Sequence, residues 1–284
     1  MPDRFSPTQR LQRAYAKGIQ EIVKRILPPV TASGNVTVEE WLAELAARSQ
    51  ATDVQEASEL LAKRMIHWTN VRNAKTWREA AAKSQQSRQL YALLQKEMQG
   101  ATGAAVRRLV LANAHYIRSI PLEAAQHLVN EVAAAQQAGA RPATIGKMMR
   151  QRFPELLRSR VRLISRTETA KASTALTQAR CDELDIDFYR WVTSKDQRVR
   201  RSHREMQGVV VPWSQAPSPE ALVGEKNAGH YHAGEIYNCR CYTAPILTLD
   251  DVAFPAPVFW NGAVHQMTKQ QFKQIAVRLE QRAA

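Results

Sequence analysis

Residues 187–212 read "DFYRWVTSKDQRVRRSHREMQGVVVP". The stretch opens on strict alternation, with Phe188, Arg190 and Val192 on one side and Tyr189, Trp191 and Thr193 on the other, which predicts a β-strand. It closes on Gly208 and "VVVPW", a second strand. Between the two, Asp196 is placed to cap a short helix over Gln197 to Met206, and Gly208 suits its C-terminal end. On that helix Val199, His203 and Met206 follow one another at i, i+4 and i+7, so His203 shares the inward face.

Upstream of this stretch the pattern is helical. Leu11, Tyr15, Ile19, Ile22 and Ile26 recur at steps of three and four until Pro28 and Pro29 stop the helix. Thr37 with Glu40 makes a capping box for a second helix through Trp41, Leu42 and Leu45. Further helices are expected from Val54 to Met98, broken near Asn70 to Thr76, from Gly103 to Arg118, and from Leu122 to Gln137. A short one follows from Ala143 to Arg152, and Pro154 opens a long one to Leu184.

Downstream, "SQAPSPEALVGEKNAGHYHAGE" reads as a long loop, "CRCYTAPI" as a third strand and "PVFWNGAV" as a fourth. Thr268 with Gln271 starts a closing helix. The fold class expected is α+β: a mostly helical N-terminal arm over residues 1–154, then a domain over 155–284 with a long helix, a short antiparallel sheet and a C-terminal helix.

The chain has 284 residues and a formal net charge of +14. The surplus is uneven: from Met98 to Lys171 there are 12 basic residues against four acids, so this window carries +8. Arg107, Arg108, Arg150, Arg152, Arg158, Arg160 and Arg162 are the expected contacts to an anionic partner, and duplex DNA bound through its phosphates fits that charge. No aromatic stacking pattern accompanies them, which argues against reading of bases or of single strands. The opening "MPDRFSPTQR" has no apolar core of a signal peptide, and no apolar run approaches a membrane span, so synthesis in the cytoplasm and no membrane partner are expected.

Two of the three cysteines, Cys239 and Cys241, flank Arg240 in "GEIYNCRCYTAPIL". On a strand their sulfurs point to one side and can face His203, while Arg240 points to the other. Two thiolates and an imidazole are three ligands of a tetrahedral zinc site, with Asp196, His230 or His232 as a fourth. The alternative is a metal-free staple in which the sulfurs are buried beside Val199 and Met206. The staple is the reading preferred here, with no cofactor and no catalytic residue, and zinc on His203, Cys239 and Cys241 is the alternative. A strained CxC redox pair is disfavoured. Glu168, in "SRTET", is read either as the buried partner of Arg240 or as a solvated helix residue that pairs with Lys171 or nothing.

The succession "SRTETA", "YRWVTSKDQRVRRSHREMQGVVVP" and "GEIYNCRCYTAPI" resembles the phage Mu F-like minor head proteins, the head morphogenesis family, over about residues 155 to 247. Asp196, Arg198, His203, Gly208, Asn238, Cys239, Arg240 and Cys241 fall on its motif positions. The resemblance implies a non-enzymatic protein of the virion, inside the capsid of a tailed phage or prophage. Its implied partners are the portal protein, the phage double-stranded DNA and a scaffolding or major capsid protein, in head morphogenesis and DNA packaging or delivery. Some members carry cysteines at the positions of Arg200 and His203 and a histidine shortly before the N-C-R-C, and look like metal binders. Arg200 and Ile236 of this chain cannot be ligands. The alternative function is a metal-dependent nuclease built on Asp196, His203, His230, His232 and Glu235.

Overall fold

The alternation at Phe188 is the edge between two kinds of structure in the computed structural model, which describes residues 5–27, 38–81, 99–140 and 142–283. Before it lie five helices among the described residues: α1 (Gln9–Ile26), α2 (Val38–Ser49), α3 (Thr52–Ala81), α4 (Ala101–Gln137) and α5 (Pro142–Glu183). After it come β1 (Phe188–Thr193), α6 (Arg201–Glu205), β2 (Val210–Pro212), α7 (Pro219–Leu222), β3 (Cys241–Pro245), β4 (Ala256–Trp260), β5 (Ala263–Met267) and α8 (Lys269–Ala283). The protein is α+β, helical first and mixed afterwards. The stop at Pro28 and Pro29, the cap at Thr37 and the helix expected over residues 82–98 lie outside the described residues.

The contacts divide the chain into two compact units. One is Met1–Thr8, His67–Arg107 and Thr169–Ala284; the other is Gln9–Ile66 and Arg108–Glu168. The boundaries fall inside α3, α4 and α5, and residue 154 lies within α5.

Three predicted helix breaks are absent. Pro121 and Pro154 sit inside α4 and α5. A proline costs a helix interior about 3 kcal/mol, but apolar burial continues across Pro121 through Ile117, Ile120, Ala124, Ala125 and Leu128, and that packing holds the helix together. The polar residues near Asn70 also lie in an unbroken helix. Arg180, which is fully buried, donates to Asn73 Oδ1 at 2.5 Å and Asn70 Oδ1 at 2.7 Å, and Asn73 Nδ2 donates to Thr177 Oγ1 at 2.8 Å. Those asparagines serve a buried network instead of ending a helix.

The sheet has the order β3-β1-β2-β4-β5 and is mixed where a purely antiparallel one was expected. β1 pairs antiparallel with both β2 and β3, whereas β2 meets β4 in parallel through Val210 and Val258. The long connection after Pro212 carries α7 and β3, so β4 returns beside β2 by a crossover and not by a hairpin. "PVFWNGAV", read above as one strand, is the β4–β5 hairpin. Asn261 (φ 50°) and Gly262 (φ 85°) form its two-residue turn, the left-handed pair such hairpins require.

Period-two alternation gives the sheet two buried faces. Tyr189, Trp191, Val211 and Phe259 pack with Trp77 of α3, Cys181 of α5, Met206, Tyr231, Cys239 and Cys241. Phe188, Val210 and Val258 pack on the opposite face against Phe272 and Ile275 of α8. As predicted, α8 starts at a capping box: the Gln271 amide donates to Thr268 Oγ1 at 3.3 Å, and the Thr268 amide to Gln271 Oε1 at 2.9 Å.

In the other unit, α1 buries Tyr15, Ile19, Ile22, Val23 and Ile26 along one face. Tyr15 donates from its hydroxyl to Asn113 Oδ1 at 2.8 Å.

Candidate functional site: a buried thiol and imidazole cluster

The register of β3 against β1 positions the cysteines. Cys241 lies opposite Thr193, and one step earlier the Ser194 amide donates to the Arg240 carbonyl at 2.8 Å. Asn238, at a φ of 56°, turns the chain into this edge. Cys239 and Cys241 therefore project to one side and Arg240 to the other, as the strand period requires.

Arg240 meets Asp196, not Glu168. Its Nε donates to Asp196 Oδ2 at 2.6 Å, and Nη2 bonds the same oxygen. The pairing follows from register: Arg240 lies level with Ser194, and Asp196 is two residues further along the same turn. Burial would raise the Asp196 carboxyl, but the hydrogen bonds from Arg240, the Arg198 amide and the Ser194 hydroxyl outweigh it and hold it below its ordinary range. Asp196 does not cap α6, which begins at Arg201 with no side-chain cap. It closes the preceding turn by accepting the Arg198 amide at 3.0 Å. Arg198 is exposed, and Gly208 (φ 84°) donates its amide to the Trp191 carbonyl at 2.9 Å. Glu168 is buried in the unit that contains Tyr15, whose hydroxyl is raised by burial and then by the Glu168 charge.

On the other side, α6 delivers His203, while Val199 lies in the turn before the helix and Met206 at its C-cap, all three buried. His203 Nδ1 lies 3.5 Å from Cys239 Sγ and 3.3 Å from Cys241 Sγ. The ligand atoms of the three residues fall within 4.8 Å of one another, and no other such group of His, Cys, Asp or Glu occurs among the described residues. The Cys241 amide donates to Cys239 Sγ at 3.4 Å. The hydrogen bond from the Cys241 thiol lowers the Cys239 thiol well below its usual range, and the same contact, with burial, drives the Cys241 thiol up. The residues thus fit a thiophilic ion through three ligands. Cys181 is buried elsewhere in the core and raised by that burial.

Behind His203 stand two groups that the sequence reading missed. His203 Nε2 is 2.9 Å from the Tyr231 hydroxyl, which lies 2.7 and 2.6 Å from the two oxygens of Glu220. Ser202 adds a hydrogen bond to Glu220 at 3.3 Å. Burial would raise the Glu220 carboxyl, and the Tyr231 hydroxyl chiefly reverses this, leaving it low. The Trp191 ring stands edge-on to His203 at 5.5 Å. Arg200 donates through Nη2 to the Tyr237 carbonyl at 2.9 Å and covers the Tyr237 ring, and its charge only partly offsets the rise of the Cys241 thiol. The only trace of Glu220 in the sequence is the helix-start pattern "SPE", which says nothing about His203.

The residues of the nuclease alternative do not converge. Asp196 is committed to Arg240. His230 is exposed, with Nδ1 donating to the Ala216 carbonyl at 3.0 Å. His232 is buried against Tyr189, whose hydroxyl lies 3.1 Å from its Nδ1, and Glu235 accepts the His232 amide at 2.5 Å.

The arginines expected to meet DNA fall into two sets. Arg152 is paired with Glu131 at 2.9 Å and Glu155 at 3.0 Å, and Arg160 with Glu123 at 3.4 Å. Arg107, Arg108, Arg158 and Arg162 are exposed and in no ion pair among the described residues. The Arg150 side chain lies outside those described. No described helix is long and apolar enough to cross a membrane.

A protein of Haemophilus influenzae (strain ATCC 51907 / DSM 11121 / KW20 / Rd), described as uncharacterized, is 29% identical over 169 residues, which are 59% of this chain and 34% of that protein. The chain thus spans about a third of the relative's length. No solved structure matches. The sequence model of the family "Phage Mu protein F like protein" matches residues 126–244, a span that includes β1, β2, His203, Glu220, Tyr231 and both clustered cysteines and ends within β3. Over residues 126–244 the chain is therefore similar to the Phage Mu protein F-like proteins, a likeness that suggests phage head morphogenesis.

Proposed function

We propose that this protein is a minor head protein of a tailed phage or prophage, held inside the capsid at the portal and acting in head assembly and in DNA packaging or delivery. The Mu F-like match over residues 126–244 carries this reading. The exposed arginines of the basic window support contact with the DNA that fills the head, through its phosphates and without choice of sequence. The role is structural: the Arg240–Asp196 pair and the thiol cluster tie turns and strand ends together.

The decisive experiment is coexpression with the portal protein of the same phage, followed by affinity capture of the portal. This chain is expected to copurify and, in lysates of the induced phage, to sediment with heads from which external proteins have been stripped by protease. A chain that neither copurifies nor enters heads overturns the proposal.

A further inference from the structure

We propose that Glu220 and Tyr231 fix the tautomer of His203, so that His203 Nδ1, Cys239 and Cys241 form a three-ligand site for a thiophilic divalent ion such as zinc, with a fourth position that no His, Cys, Asp or Glu among the described residues fills. The chain of hydrogen bonds sets the direction. The Tyr231 hydroxyl has one hydrogen, and the Glu220 carboxylate, at 2.7 and 2.6 Å, accepts it. The lone pairs of the tyrosine oxygen then face His203 Nε2 at 2.9 Å, so the imidazole donates its N–H there. Nδ1 is left with its lone pair, pointed at two sulfurs. Imidazoles that bind metals are commonly held in this way, by an acceptor on the other nitrogen.

The distances agree with a shared ion. Zinc bonds of about 2.3 Å to sulfur and about 2.0–2.1 Å to nitrogen, at tetrahedral angles, place N and S about 3.5 Å apart. Here the two separations are 3.5 and 3.3 Å. Without an ion, a single lone pair faces two thiols and can take the hydrogen of one in good geometry. An ion at that point satisfies the nitrogen and both sulfurs together, and the Cys241 amide already donates to Cys239 Sγ. Binding displaces water from the aquo cation and any proton still held by either sulfur, so uptake depends on pH, and because only the folded chain brings the three ligands together it depends on folding as well. Because the three residues make the only such group among those described, water or an added ligand takes the fourth position. Arg200, fixed to the Tyr237 carbonyl, brings a cation near the thiolates but no lone pair.

The test uses the full chain, purified without added metal, stripped by a chelator and refilled with cobalt(II). The wild type is expected to take up one equivalent and to show tetrahedral cobalt bands with thiolate-to-cobalt charge transfer. Cys181→Ser is expected to keep that spectrum, and Cys239→Ser or Cys241→Ser to lose the charge-transfer intensity. Tyr231→Phe and Glu220→Gln should keep stoichiometry and spectrum with affinity weaker by about 10- to 100-fold. A folded wild type with no thiolate charge transfer overturns the site, and the wild-type spectrum decides this even if the cysteine variants do not fold. Undiminished affinity in both Tyr231→Phe and Glu220→Gln overturns the positioning role. Neither result touches the head-protein reading, which rests on the Mu F-like match and is tested by portal capture.

Discussion

Arg240 shows how far one residue can be read alone. Its alternation with two cysteines correctly sends it away from them, but its partner depends on which turn lies level with it, and that is Asp196. The pair is neither fully buried nor fully exposed, with side chains 15% and 34% accessible, so Arg240→Ala is expected to cost about 1–2 kcal/mol in urea unfolding. Because the folded Asp196 carboxyl lies below its unfolded value near 3.9, its contribution is fully present above that pH and is lost as pH falls through the folded value. In Arg240→Ala most of this loss on acidification should disappear. A double-mutant cycle with Asp196→Ala is expected to show coupling of about 0.5 kcal/mol or more, and additivity would mean that the pair is not formed in solution.

At the scale of elements, the loop before β3 is held by a close approach that a sequence scan for turn residues does not rank. Gly234 has a φ of 94°, and a Cβ there would lie 2.5 Å from Thr174 Oγ1 and 3.3 Å from the Cys241 carbonyl. Thr174 donates to the neighbouring Ala233 carbonyl at 2.6 Å, which ties α5 to the loop carrying Tyr231 and His232. Gly234→Ala combines a left-handed backbone with a clash, and is expected to destabilise by about 2–5 kcal/mol in denaturant unfolding. Gly262, in the β4–β5 turn, has a φ of 85° but open space at its Cβ, so Gly262→Ala should cost only about 1–2 kcal/mol. Equal costs at the two positions would contradict the close packing of the Gly234 loop against α5.

For the whole molecule the relevant quantity is charge left over after internal pairing. Seven arginines were candidates for DNA, but Arg152 and Arg160 already face carboxylates, whereas Arg107, Arg108, Arg158 and Arg162 are in no ion pair among the described residues. Duplex binding by the full chain is expected to fall steeply with salt and to be indifferent to sequence. Alanine at each of the four free arginines should reduce the slope of log K against log salt by about 1, and alanine at Arg152 or Arg160 by less. A slope insensitive to all four would place the anionic partner elsewhere.

Local spacing was enough to reveal the helical character of the described residues before 184, though not the continuity of α3, α4 and α5, and with it the alternation of β1, the burial of Val199, His203 and Met206, the common side of Cys239 and Cys241, and the cap of α8 at Thr268. Each depends on residues within one turn or one strand, where spacing and side-chain direction are coupled by backbone geometry. Contacts across long separations were decided only by the folded chain. They include the parallel return of β4 beside β2, the unbroken course of α3 around Asn70 and Asn73, the choice of Asp196 for Arg240, and the arrival of Glu220 and Tyr231 behind His203. Such contacts are set by the closing of loops and the sharing of a buried site, where which polar groups satisfy each other depends on every element packed there, and no local pattern of residues encodes that choice.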